Sequence, residues 1–507
     1  MYAVEMRGVT KRFHGTLAND YVNFFVKKGE IHSLLGENGA GKTTLMNILF
    51  GLYKADGGSI RIHEKETRID SPLAAISQGI AMVHQHFMLV DTLSVAENIV
   101  LGHEPRKGVF FDREKAFEKI TEIAEKYHFQ IDAREKVGNL SVGVKQRVEI
   151  LKALYHESSV LILDEPTAVL TPQEADDLFR VLRGLKADGR TIIIITHKLK
   201  ETMAIADTIT VLRKGRTIAT LPAREVSEEK LAELMVGRLV SFSVDKKPLR
   251  DNRPVKMKLS HVTLQKGSKK ALQDVSLTVR GGEILGIAGV EGNGQTELIE
   301  VLTGLCSRYK GTVTVGDRDV SRAGAKKLLN YVGHIPEDRG KRGYVKGYAN
   351  WENMILGYHT RPDYITKAGI LKTKAIQEVT RRGIEEYDIR TDGIDQTTDS
   401  LSGGNQQKLI VGRVLMHHTG IVLAAQPTRG VDIGAIEYIH TQLVRLRDEG
   451  AAVILISADL DEIVKLSDEI AVLYEGSIVA RKPAADFTGR SIGAYMLGHT
   501  KDEEVQA

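Results

Sequence analysis

The chain has 507 residues, too many for one ordinary core, so two or more domains are expected. Its composition is that of a soluble globular protein, and a net charge of +4 is small for this length, so no nucleic-acid partner is indicated. No apolar run approaches the roughly 18 residues of a membrane span. The N-terminal MYAVEMRGVTKRF has no signal-peptide core, and the single cysteine, Cys306, excludes an internal disulfide framework or a cysteine zinc cluster. A cytosolic protein is expected, with any membrane link made through partners.

Along the chain the first strong motif is G-x-x-x-x-G-K-T, formed by Gly36, Glu37, Asn38, Gly39, Ala40, Gly41, Lys42 and Thr43, with Thr44 next. It follows an apolar strand and precedes the helical LMNILFG, the context a phosphate loop needs. The glycines let the backbone wrap phosphates, and the amides and helix start supply positive dipole. Lys42 would reach the β- and γ-phosphates of ATP, and the Thr43 hydroxyl would bind Mg²⁺. A helical insert is predicted around 111–130, where Ala116, Ile120, Ile123, Ala124 and Tyr127 recur at helical spacing. The segment LILDEP then sets Asp164 and Glu165 at a strand end: Asp164 as the metal-side acid, Glu165 placed to orient or deprotonate an attacking water. TIIIIT, 191–196, reads as a strand buried on both faces, and His197 follows it.

The pattern then repeats. Gln295 in GEILGIAGVEGNGQTEL lies 253 residues after Lys42, and Ser402 in LSGGNQQK lies 261 after Ser141 in LSVGVKQR. IVLAAQPT matches VLILDEPT, and AVILIS, 452–457, is a second buried strand. This is a tandem duplication of an α/β unit, the second copy carrying about eight extra residues between its first two motifs. The expected division is 1–242, a polar linker 243–256, and 257–507.

Together the phosphate loop, LDEP, His197 and LSGGNQQK resemble the ABC ATPase family over nearly the whole chain. That resemblance implies two ABC ATPase domains, each a mixed sheet core with a helical subdomain. It implies that Ser402, Gly403, Gly404 and Gln406 contact ATP from the opposite half, that Phe13 stacks on adenine, that Gln85 senses metal and water, and that His197 is the γ-phosphate switch. Metal would be held by Thr43, Gln85 and Asp164. The tandem halves, TAVLTPQE and PEDR look like the simple-sugar import subfamily, and LSVG, GVEGNGQTE and AAQPTRG lean toward its nucleoside branch. The family further implies two integral membrane permease subunits, an extracytoplasmic substrate-binding lipoprotein, and a peripheral place on the cytoplasmic face of the membrane; a second copy of the chain is compatible with such an assembly. Two alternatives are a sugar cargo and a soluble ribosome-associated tandem ABC protein. The latter would typically keep both sites and carry a long charged helical linker.

The second copy departs from the pattern. Gln295 replaces Lys42, Ala425 and Gln426 replace Asp164 and Glu165, Ala458 replaces His197, Lys266 aligns with Phe13, and Glu337 falls within one residue of the place of Gln85. Gly289, Gly294 and Thr296 keep their type. The first copy instead degrades its signature, where Val142 and Val144 flank Gly143 after Ser141. Crossing the halves gives one complete site and one degenerate site of Gly289, Gly294, Gln295 and Thr296 with Ser141 and Gly143.

Overall fold

The computed structural model describes residues 1–498 apart from 14, 85–87, 128, 130, 168–169, 171, 240–244, 268, 291 and 418. The chain divides into two compact units, Met1–Val240 and Ser241–Ala507.

In the first unit a mixed sheet runs in the order Arg216–Pro222, Thr208–Arg213, Ile31–Leu35, Thr191–Thr196, Val160–Asp164, Ile80–Val83. Arg216–Pro222 is antiparallel to its neighbour, and the other pairings are parallel. Thr191–Thr196 is buried throughout, as expected of a strand with parallel neighbours on both sides. Its alternate residues serve two cores. Ile193 and Ile195 face the helix Lys42–Leu49 and a small antiparallel sheet that includes Tyr2–Phe13 and Thr16–Lys27. Ile192 and Ile194 join Phe117, Ile120 and Leu151.

The helical insert is larger than the sequence pattern showed. Arg113–Lys126 buries Ala116, Phe117, Ile120 and Ala124, with Ile123 and Tyr127 partly buried. It packs in one core with Val95–Val100 and Val142–Tyr155. All of this lies between the strands Ile80–Val83 and Val160–Asp164.

The second unit repeats the plan, with Val332–Ile335, Ile421–Ala425, Ala452–Ile456, Glu283–Ala288, Glu469–Tyr474 and Ser477–Pro483 in one sheet. Its extra residues are localised. Seven residues lead from Val83 to Val90, whose amide donates to Asn98; ten lead from Ile335 to Val345, whose amide donates to Asn353. Most of the others separate Ala349 from Lys372, the residues that start the next two helices. Residues 245–254 have no regular structure and lie against the second unit, where Lys246 Nζ donates to the Ser467 carbonyl at 2.8 Å and Arg253 pairs with Glu283. Among the described residues no helix is long and apolar enough to cross a membrane.

Candidate active site

Strand Ile31–Leu35 leads into Gly36, and helix Lys42–Leu49 leaves the loop. Gly41 begins that helix at φ 98°, and a Cβ there would lie 2.3 Å from the Ala18 carbonyl oxygen, so only glycine closes the turn. Lys42 is buried, and its Nζ donates to the carbonyls of Gly36 at 2.8 Å and Glu37 at 2.9 Å. The ammonium is folded under its own loop. Burial lowers its pKa, while Glu165, Asp164 and Glu37 oppose that shift. Asn38, Gly39 and Thr43 are exposed, Glu37 and Thr44 half-buried, Ala40 buried.

The two acids meet this loop from strand Val160–Asp164. Burial pushes the Asp164 carboxyl up to about 6, helped by the charge of Glu165 and opposed by Lys42 and a hydrogen bond with Thr43. Glu165 is held low instead, by a hydrogen bond from His197, with burial opposing. His197 Nδ1 lies 2.8 Å from Glu165 Oε1. Two adjacent carboxylates are thereby separated in acidity, the usual requirement for assigning them different tasks. Glu165 also adopts φ 47°, a left-handed conformation that a non-glycine residue rarely takes and that clusters at functional sites. Phe13 ends the strand Tyr2–Phe13, edge-on to Tyr53 at 5.2 Å between centroids, with Lys11 Nζ 5.3 Å from its ring. Gln85 lies outside the described residues.

The second unit keeps the backbone and changes the chemistry. Gly294 begins helix Gln295–Leu302 at φ 110°, and Gln426 stands at φ 47° like Glu165. Gln295 is buried and Thr296 half-buried; Gly289 lies beside the Gln295 carboxamide. Ala425 is fully buried, and Gln426 Oε1 accepts from the Ala458 amide at 3.2 Å. The strand registers place Val83 opposite Leu163 and Ile335 opposite Ala424, so Glu337, two residues past Ile335, takes the sequence place of Gln85.

The two signatures start equivalent helices. Ser402 precedes Gly403–Met416 and accepts from Asn405 Nδ2 at 2.9 Å; Ser141 precedes Val142–Tyr155 and accepts from the Val144 amide at 3.5 Å. Both serines are exposed. Gly143 and Gly404 are buried. Gln406 is buried too, and its Nε2 donates to the carbonyls of Leu401 and Thr398 at 3.1 and 3.3 Å. Its carboxamide is engaged within the second unit, which suits holding the signature loop better than touching nucleotide.

A sequence model described as ABC transporter matches residues 20–168 and 272–429, more than half of the chain. The chain belongs to the ABC transporter family. It is an ATPase of that family, built from two α/β units. This ABC ATPase is 46% identical over 508 residues to the guanosine import ATP-binding protein NupO of Bacillus subtilis, covering 100% of this chain and 99% of the relative. It is 45% identical to the nucleoside import ATP-binding protein NupA of Lactococcus lactis, covering 99% of each. It is also 43% identical to the glucose import ATP-binding protein TsgD13 of Haloferax volcanii, covering 98% of this chain and 96% of that one.

The ABC ATPase departs from its first unit at one more place in the second. Lys266 Nζ, in the place of Phe13, donates to Glu300 at 2.9 Å and Glu297 at 3.3 Å. These acids replace Thr44 and Asn47 and put negative charge on the helix that follows the degenerate loop. The signal was legible in TELIE against TTLMN.

Proposed function

We propose that this ATPase drives a nucleoside importer and hydrolyses ATP at one composite site. The observation that carries the reading is the sorting of intact groups. Lys42, Asp164 and the Glu165–His197 pair stand in the first unit, while the second has Gln295, Ala425, Gln426 and Ala458 but keeps Ser402, Gly403 and Gly404. If each phosphate loop faces the other unit's signature, all of these losses fall on one site and the other site is complete.

At that site Lys42 exchanges the carbonyls of Gly36 and Glu37 for phosphate oxygens. Glu165, ionised, accepts the proton of the attacking water. His197 orients that carboxylate through its 2.8 Å hydrogen bond. Ser402 and the N-terminus of helix Gly403–Met416 meet charge developing on the γ-phosphate. Thr43 and Asp164, hard oxygen donors hydrogen-bonded to each other, fit Mg²⁺, with Gln85 as the third group the family resemblance suggests. Bound there, the ion would neutralise phosphate charge. ATP draws the units together and hydrolysis releases them. That movement acts on two membrane permease subunits at the cytoplasmic face, and a lipoprotein receptor supplies the cargo.

The names of the relatives at 46% and 45% identity favour a nucleoside; the glucose importer at 43% makes a sugar the second reading. The deciding experiment is uptake of labelled guanosine by cells expressing the chain with its permeases. Uptake should be blocked by excess unlabelled nucleoside and lost in Glu165→Gln. Labelled glucose or ribose entering in place of guanosine would contradict the nucleoside assignment.

A further inference from the structure

The segment between Ile335 and Val345, three residues longer than its counterpart between Val83 and Val90, carries Arg339 at the start of a single π-helical turn, Arg339–Gly343. Its guanidinium spans three acceptors. Nε donates to Gln406 Oε1 at 3.2 Å, Nη1 to the Arg429 carbonyl at 2.9 Å and Nη2 to the Gly430 carbonyl at 3.3 Å. One side chain therefore joins the signature to the loop that follows strand Ile421–Ala425. A Cβ on Gly403 would lie 2.6 Å from Arg339 Nη2, so the signature glycine also makes room for the guanidinium. The far end of the turn is fastened as well: buried Arg413, on the signature helix, donates to the Gly343 carbonyl at 2.7 Å and to the Asn353 carbonyl at 3.0 Å.

The first unit has none of the matching residue types. At the corresponding sequence positions Val142 replaces Gly403, Lys145 replaces Gln406 and Lys152 replaces Arg413. Lys145 Nζ pairs with Asp91 at 3.0 Å instead. The fastening therefore accompanies the intact signature and is missing, part by part, from the degraded one.

We propose that Arg339 is a positioning residue for ATP hydrolysis, clamping the start of the signature helix in the shape that the γ-phosphate requires. It touches no nucleotide; it acts through Gln406, Gly403 and the 429–430 loop, and it links that shape to the lengthened segment 336–345. This rests on the crossed site proposed above. A lysine cannot replace it, because a single ammonium lacks the planar fork that reaches three separated acceptors.

The test is steady-state ATPase of the assembled transporter carrying Arg339→Ala, Arg339→Lys, Gln406→Ala or Arg339→Ala with Gln406→Ala. Azido-ATP labelling of the N-terminal unit is measured in parallel. Arg339→Ala should lower kcat at least tenfold and Arg339→Lys at least threefold, with N-terminal labelling within twofold of wild type. The double variant should be less than twofold worse than the poorer single variant, as expected for two residues acting as one unit. Should Arg339→Ala fail to assemble, Arg339→Lys carries the test. Glu165→Gln separates the two readings. If it abolishes hydrolysis while both Arg339 variants keep kcat within twofold, the positioning role alone is overturned. If Glu165→Gln stays active, the one-site reading falls and the positioning role with it. Loss of N-terminal labelling together with kcat would show general disruption and likewise overturn the inference.

Discussion

Glu165 and His197 are joined by a hydrogen bond of 2.8 Å, and the matching pair in the second unit is a glutamine bound to a backbone amide, Gln426 to Ala458 at 3.2 Å. The same left-handed turn, φ 47° in both units, presents a carboxylate with a histidine in one and a neutral carboxamide in the other. A carboxamide cannot accept a proton from water near neutral pH. The backbone turn thus persists where the carboxylate has been replaced.

Glu165→Gln should slow hydrolysis by roughly 10²–10⁴ and leave ATP bound, the range for loss of a general base. Gln426→Ala should keep the rate within a few-fold. The comparison is steady-state ATPase with equilibrium nucleotide binding on the same preparations. Equal losses from the two substitutions would sink the assignment of Glu165 as the sole catalytic carboxylate.

Nucleotide should label the first unit more strongly than the second. Lys42 supplies a charge where Gln295 has none, and the Lys266–Glu297–Glu300 cluster places acids beside the second loop. Photolabelling with an ATP analogue, then proteolysis between the units, should mark mainly the N-terminal fragment. Dominant labelling of the C-terminal fragment is the contrary result.

Much of this was legible in the sequence for identifiable reasons. TIIIIT announces its strand because parallel neighbours on both sides bury every residue. The phosphate loop is legible because Gly41 must be glycine to pass Ala18. In the sequence the helical subdomain shows only through Arg113–Lys126, the helix with a clear apolar stripe. Val95–Val100 is too short to show a period and is marked instead by its capping pair, Ser94 and Glu97. Arg339 was visible only as part of a motif, because its partners are backbone carbonyls and a glutamine far along the chain.

His334 makes the second unit sensitive to acid. It occupies the strand position that Met82 holds in the first unit. Burial, with Arg342 and Arg413 nearby, pulls its pKa from 6.5 to about 4, and Nε2 has no hydrogen-bond partner among the described residues. Between those values the unfolded chain binds a proton that the folded chain does not. The stability this group contributes is therefore complete above about pH 6.5 and is lost as pH falls toward 4, on the order of 3 kcal/mol in all. Denaturant unfolding of His334→Met across this range should show a shallower decline than wild type. An unchanged acid-side slope would contradict the assignment.

The crossing of motifs is tested most directly by steady-state ATPase of Ser402→Arg and Ser141→Arg in the assembled transporter. Ser402 lies far from Lys42 in sequence and would serve a site without Lys42, both acids and His197 if each unit worked alone. In the crossed arrangement it contributes a hydroxyl and a helix end to the γ-phosphate, and loss of one such donor costs on the order of 3 kcal/mol, about a hundredfold in rate. Arginine adds bulk at the clamp and should do worse. The crossed arrangement therefore requires a severe defect in Ser402→Arg and a much smaller one in Ser141→Arg. A severe defect in Ser141→Arg beside a silent Ser402→Arg would contradict it.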